Sequence, residues 1–229
     1  MNDEHGFTLI ELIVGASVSL ILLGSVMAMV QVATHGQDRV AARVAANQKG
    51  RPAMTKMTDR LHAACVSPGL APVQAGSTGE SMILLSKTGS DVSPTPDRYV
   101  VSLSGGVLTE VAYPATGGQP PDWTFSETPS SSQQLLDRVA PAEVGNPAAT
   151  VPLFRYFAYE GGEVAPEPLP TPLSEEDAAR TVQVDIAFTV APNGIGSADP
   201  ETPVALTDSA TLRIEPASED SAEVNLPCV

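Results

Sequence analysis

Between Glu11 and Asp38 the chain carries no Asp, Glu, Lys or Arg, and residues 12–33 are dominated by Leu, Ile, Val, Met and Ala. An α-helix rises about 1.5 Å per residue, so about 20 such residues match the roughly 30 Å hydrocarbon core of a bilayer. The run is therefore a membrane helix or a signal peptide. A signal peptide combines a basic first part with a shorter apolar stretch of roughly 7–15 residues and a small-residue cleavage site. Here the stretch is longer, and Asn2, Asp3, Glu4 and His5 include acids but no Lys or Arg. Ordinary secretory processing fits poorly.

The rest of the polymer has a different character. Of the 21 prolines, only Pro52 lies in residues 1–65. Six of the 12 basic residues stand between Arg39 and Arg60, whereas residues 61–229 hold 6 basic against 22 acidic residues, a balance of −16. The net charge of −15 thus belongs to the second part. Such a surface argues against binding to nucleic-acid phosphates, which needs clustered cations. Two cysteines and three scattered histidines leave no zinc ligand set.

The unusual residue of the apolar run is Glu11. A carboxylate in lipid is costly unless paired or near the interface, so it marks a functional position by default. The alternative is a carboxylate resting among headgroups at the helix end. The local sequence Gly6-Phe7-Thr8-Leu9-Ile10-Glu11, followed at once by the apolar helix, resembles the processing site of type IV prepilins and type II secretion pseudopilins. The resemblance implies cleavage by a prepilin peptidase between Gly6 and Phe7 on the cytoplasmic side, then N-methylation of Phe7. It also implies an assembly role for Glu11. Cleavage creates a cationic amine on Phe7 that Glu11 neutralises in a neighbouring chain, or in its own chain one helical turn away. The leader lacks the usual Lys or Arg, and Arg39 and Arg43 follow the span on the side assigned as outside. Both run against the positive-inside tendency. The motif requires the amino terminus inside and sets the orientation: a single-pass cytoplasmic-membrane chain with its head outside, joining a cell-surface fibre after assembly.

Beyond the span, Val40 and Val44, then Met54, Met57, Leu61 and Cys65, recur at spacings of three and four, the stripe of a helix packed on a following domain. Gly50 and Pro52 interrupt the pattern, predicting a bend or short break near 50–52, or a second helix opened by Pro52. The expected organisation is a leader at 1–6, a transmembrane and assembly helix at 7–37, its extramembrane continuation at 38–65, and an acidic, Pro-rich β head at 66–229. The fold class is α+β. The resemblance adds a pilin-like ladle, a long amino-terminal helix packed against an antiparallel sheet.

Within the head, residues 81–87 read as a strand, and 98–104 and 107–113 flank Gly105-Gly106 as a hairpin. Residues 114–133 read as loop with a short strand near 123–125. The aromatic run 151–160 reads as a core strand closed by Gly161-Gly162, and 163–172 as a stiff proline-rich loop. Ser174 is a helix N-cap followed by Glu175, Glu176 and Asp177. Residues 181–190 alternate with period two, and 204–214 end in another strand. This order over residues 150–215 resembles the J/W type of minor pilins and pseudopilins, subunits that prime assembly or sit near a fibre tip.

Cys65 ends the long helix and Cys228 is penultimate. Outside the cytoplasm a bridge between them is permissible and would tether the carboxy terminus to the helix; the alternative is two unrelated thiols. The acidic runs 175–177 and 219–220 lack the alternating ligands and turn glycine of a calcium loop, so no metal, cofactor or catalytic residue is assigned and the chain is read as no enzyme. The partners implied by the resemblance are other pilin or pseudopilin subunits, the prepilin peptidase and a membrane assembly platform. The other readings are a membrane-anchored ligand-binding domain and a competence pseudopilin for DNA uptake.

Overall fold

The computed structural model describes residues 8–65, 69–87, 95–119, 122–144, 149–192 and 203–212. The fold is α+β: a long amino-terminal helix, α1 (Leu9–His62), is followed by a head of antiparallel strands with one short helix. The chain divides into two compact units, Met1–Val44 and Ala45–Val229. From Leu9 onward the first is helix. The second begins inside α1 because the helix there becomes part of a core.

Among the described residues, eleven strands build two sheets. The first runs β1 (Ser81–Ser86), β2 (Asp97–Ser104), β3 (Val107–Gln119). The far edge of β3 is shared by β5 (Ser131–Asp137), paired along 107–112, and β4 (Asp122–Phe125), paired along 115–119. The second is centred on β10 (Thr181–Val190). One edge of β10 pairs with β11 (Val204–Thr211); the other pairs with β8 (Phe154–Glu160) and then β6 (Val139–Val144). β7 (Ala149–Val151) flanks β6, and β9 (Glu163–Val164) flanks β8.

The β2–β3 hairpin follows from its turn. Gly105 and Gly106 have φ of 57° and 78°, the left-handed pair that a two-residue connection needs to match strand twist. A less obvious corner joins the sheets. Arg138, alone between β5 and β6, has φ of 54°; its carbonyl accepts from Ala191 N–H at 3.0 Å, and its Nη1 donates to Pro192 O at 3.0 Å. A side chain with a Cβ is disfavoured at this φ, so the surrounding hydrogen bonds hold the corner in place.

In the second unit, α1 lies across both sheets. Gly50 meets Val190 of β10 and Leu206 of β11. Lys56 reaches β5 and β3, and Arg60 reaches β3 and β2. Beyond the helix end, Cys65 N–H donates to Leu85 O at 2.8 Å, and Ser86 Oγ donates to Ala63 O at 2.9 Å. From Gly50 to His62 a helix rises roughly 18 Å, enough to pass over several strands spaced about 4.8 Å apart. Met57 and Leu61 are fully buried with Met82, Leu84, Leu108, Phe154, Ile186 and Phe188. Tyr156 is buried among them; its hydroxyl donates to Thr78 O at 2.9 Å, and burial pushes the phenol pKa well above the usual value, partly offset by Ser77.

The structure departs from the sequence pattern in several places. α1 is continuous through Gly50 and Pro52, with no break and no second helix. Pro52 deprives the Gln48 carbonyl of its partner, but both residues are exposed, so water can take that bond. Val40 and Val44 do not join the core; they are 61% and 49% exposed. Their expected places are taken by Ala46, Gly50 and Ala53, small residues that let helix and sheet approach closely. Residues 114–133 are mostly strand, since β3 continues to Gln119 and β5 starts at Ser131. Pairing in the sheet overrides the poor strand propensity of Pro114, Gly117 and Gly118. The aromatic run splits at Pro152 into β7 and β8. Ser174 caps α2 (Glu175–Arg180) as expected, accepting from Asp177 N–H at 3.1 Å.

Gly50 gives the first test. A Cβ there would collide with Leu206 Cδ1 and sit 3.2 Å from Val190 Cγ2. We expect Gly50→Leu to destabilise the chain by about 1–3 kcal/mol despite its better helix propensity, as overpacking does. Denaturant unfolding in detergent would measure it, and an unchanged midpoint would refute this close packing.

Candidate processing and assembly site

The first described residue, Thr8, begins the site. Thr8 Oγ1 accepts the Glu11 backbone N–H at 3.4 Å, and Thr8 O accepts from Leu12 N–H at 3.2 Å. Thr8 is thus the N-cap of α1 and Glu11 its third helical residue, the spacing of a Thr-x-x-Glu capping box. The Glu11 carboxylate lies in the first turn, where the helix dipole favours negative charge. It is exposed, and no ion pair among the described residues involves it. Gly6 and Phe7 lie outside the described residues, as does Cys228.

Downstream of Glu11 the helix suits an apolar solvent. Leu9–Thr34 is long and apolar enough to cross a membrane, and none of it is buried within the chain. Its hydroxyls are satisfied inside the helix: Ser17 Oγ donates to Ile13 O, Ser19 Oγ to Gly15 O, Ser25 Oγ to Leu22 O and Thr34 Oγ1 to Gln31 O, each at 2.8–2.9 Å. Polar groups tied to backbone carbonyls can enter lipid without leaving a donor unpaired. Glu11 is then the one acidic or basic side chain of the span, and its backbone capping leaves the carboxylate oxygens available for a cation.

Cys65 occupies a different environment. It is fully buried in a small cluster with Leu85, flanked by Leu70 and Phe125, beside the first sheet's β1. Among the described residues, no group of His, Cys, Asp and Glu is arranged to hold a metal ion.

Sequence reasoning found Glu11 but missed the cap on which its backbone rests, although Thr8-x-x-Glu11 was there to be read. It also missed the buried carboxylate of the head, Glu110, which is 5% exposed. Lys56 Nζ lies 2.9 Å from Glu110 Oε1, and Arg60 Nε donates to Oε2 at 3.2 Å while its guanidinium lies 3.9 Å from the Tyr99 ring centroid. No sequence pattern joins residues so far apart.

No curated protein and no solved structure matches the chain. Residues 1–27 match the family described as the prokaryotic N-terminal methylation motif, so the chain carries that motif over its first residues, Glu11 and most of its membrane-length apolar run.

Proposed function

We propose that this chain is a minor pilin-like structural subunit. A prepilin peptidase cuts it after Gly6 and methylates Phe7, and the mature chain is built into, or initiates, a type IV pilus or a type II secretion pseudopilus. One observation carries the reading: the methylation motif at residues 1–27 overlaps the stretch Leu9–Thr34 of α1, which is apolar, uncovered by its own chain, and acidic only at Glu11. A simple anchor needs apolarity but no carboxylate at that depth. The long head, with β8, a Gly-Gly hairpin, acidic α2, β10 and β11 in succession, supports the minor J/W type.

The processing step is read directly at the terminus. Mass spectrometry of the mature chain should find N-methyl-phenylalanine at Phe7 and no residues 1–6. A chain that keeps its leader would overturn the reading.

Glu11 carries the docking step. The new amine on Phe7 is cationic and methylation leaves it so; burying it beside Glu11 removes two unpaired charges from an apolar interface at once. We expect Glu11→Ala to insert into the membrane at the usual level and to fall at least about tenfold in purified fibres, about 1.4 kcal/mol or more of docking free energy. Normal incorporation would refute the role.

The Cys65–Cys228 bridge belongs to the same proposal. Its support is the complete burial of Cys65, the absence of a free thiol there, and the lack of any other cysteine in the chain. In a chain-entropy estimate such a long closed loop adds about 5 kcal/mol as an upper figure. Nonreducing peptide mapping should recover the linked pair, and two alkylatable thiols would exclude it.

A further inference from the structure

The first sheet has two faces, and α1 covers one of them. Leu84, Tyr99 and Ala112 stand opposite one another on β1, β2 and β3 and belong to the core that α1 closes. Successive residues of a strand point to opposite faces. Leu85, Arg98 and Tyr113, one position along and again mutually opposite, therefore form a row on the other face. The row extends past β1: Ala64 bridges to Ser86 and Cys65 N–H donates to Leu85 O, which sets Cys65 beside Leu85 at the head of the row. Phe125 of β4 packs against the same Cys65–Leu85 pair, and Trp123, two residues before it, shares its half-buried side of that strand.

This face is apolar around a single cation. The Arg98 guanidinium lies 4.9 Å from the Tyr113 centroid and 5.2 Å from that of Phe125. Among the described residues Arg98 enters no ion pair, and its Nε is shut off from solvent without a hydrogen-bond partner. The indole N–H of Trp123 is in the same state. Each such donor has given up water and gained no acceptor, which is costly and uncommon in a folded chain. The other arginines of the second sheet differ. Arg138 and Arg180 each face a carboxylate, and Arg155, whose Nε is also unpartnered, still binds Asp185 through Nη2 at 3.0 Å.

We infer that residues 222–227, the segment leading into Cys228, dock across this face, with Val224 and Leu226 against the rings and Glu223 paired with Arg98. The inference rests on the Cys65–Cys228 bridge proposed above; residues 213–229 themselves lie outside the described residues. That bridge ties Cys228 to the head of the row. Arg98 is two strand spacings from Cys65, about 10 Å, and the five-residue step from Cys228 back to Glu223 reaches roughly 17 Å when extended. The chemistry matches as well. Glu223 is the only charged side chain of residues 221–229, and Val224, Leu226 and Pro227 are apolar, the complement of a ring-lined face with one cation. A carboxylate takes up a guanidinium in charge-assisted hydrogen bonds, and the carbonyls of a peptide segment supply the acceptors that Arg98 Nε and the Trp123 indole lack.

The test uses the full chain purified in detergent under nonreducing conditions. A photo-crosslinking amino acid at Asn225 should give an intramolecular product that maps to Arg98, Tyr113 or Phe125. Glu223→Lys should lower its yield roughly threefold or more, as one exposed ion pair turned repulsive does, and Arg98→Glu in the same chain should restore it. Trp123 is the only tryptophan, so its emission reports on this face alone. Val224→Asp with Leu226→Asp should shift that emission to the red and raise its quenching by acrylamide. Cross-linking to a second copy or to another part of the head, indifference to Glu223→Lys, no rescue by Arg98→Glu, or unchanged tryptophan emission would each overturn the inference. Nonreducing peptide mapping of the same sample separates the two levels. An intact bridge without the cross-link defeats the docking alone, whereas two alkylatable thiols defeat the bridge on which it rests.

Discussion

The head depends on the close approach of α1 to its sheets. Strands patterned apolar on one face must cover that face, and residues 45–62 of α1 provide the cover. Close packing is possible because the helix presents Ala46, Gly50 and Ala53 where the sheets come nearest, with Met57 and Leu61 filling the deeper space. Remove that helix face and Leu84, Leu108 and Val184 lose their partner layer. The charges set the register. Glu110 projects from β3 to meet Lys56 and Arg60, one helical turn apart, so the helix cannot slide or rotate without leaving a buried carboxylate unpaired. Apolar contacts alone would tolerate such a slip.

How much of this was legible depended on the range of the interaction. The membrane-length run, the Gly105-Gly106 hairpin, the Ser174 cap and the alternating strand β10 are local patterns, and each stands where the residues placed it. Small residues carry little hydrophobic signal, so the apolar spacing runs through Val40 and Val44, which the structure exposes, and passes over Ala46, Gly50 and Ala53, which it buries. β5 (SSQQLLD) and β6 (VAPAEV) have neither strong strand propensity nor clean alternation. They are strands because β3 and β10 offer edges to pair with, a fact of the assembled sheets alone. The Arg138 corner was equally hidden, since nothing about arginine announces a positive φ.

The candidate site shows the same division. Glu11 was conspicuous because its surroundings are uniformly apolar, and its cap is a four-residue motif. The clamp at Glu110 was invisible because its members come from a helix and a strand far apart in sequence. The head's acidity was also coarser in the sequence than in the structure. A balance of −16 over residues 61–229 describes a polymer. The ion pairs show which charges are spent on holding the fold and which are left facing outward.

That distinction separates the two carboxylates that matter most. Glu110 and Glu11 both stand where an isolated charge is costly, the first inside a protein core and the second at the start of an apolar span. Glu110 meets two cations from its own chain, Lys56 and the Tyr99-backed guanidinium of Arg60, so its charge is settled on folding and its role is structural. Glu11 has its backbone capped by Thr8 while its carboxylate meets no cation among the described residues. The same physics leaves that charge unsettled in the folded chain. On the proposed reading a cation brought by another subunit settles it, and the amine that cleavage would free on Phe7 has the required sign. Among the described residues the head thus neutralises its buried carboxylate within the chain and the span does not, and on the proposed reading assembly, and not folding, is the step that neutralises Glu11.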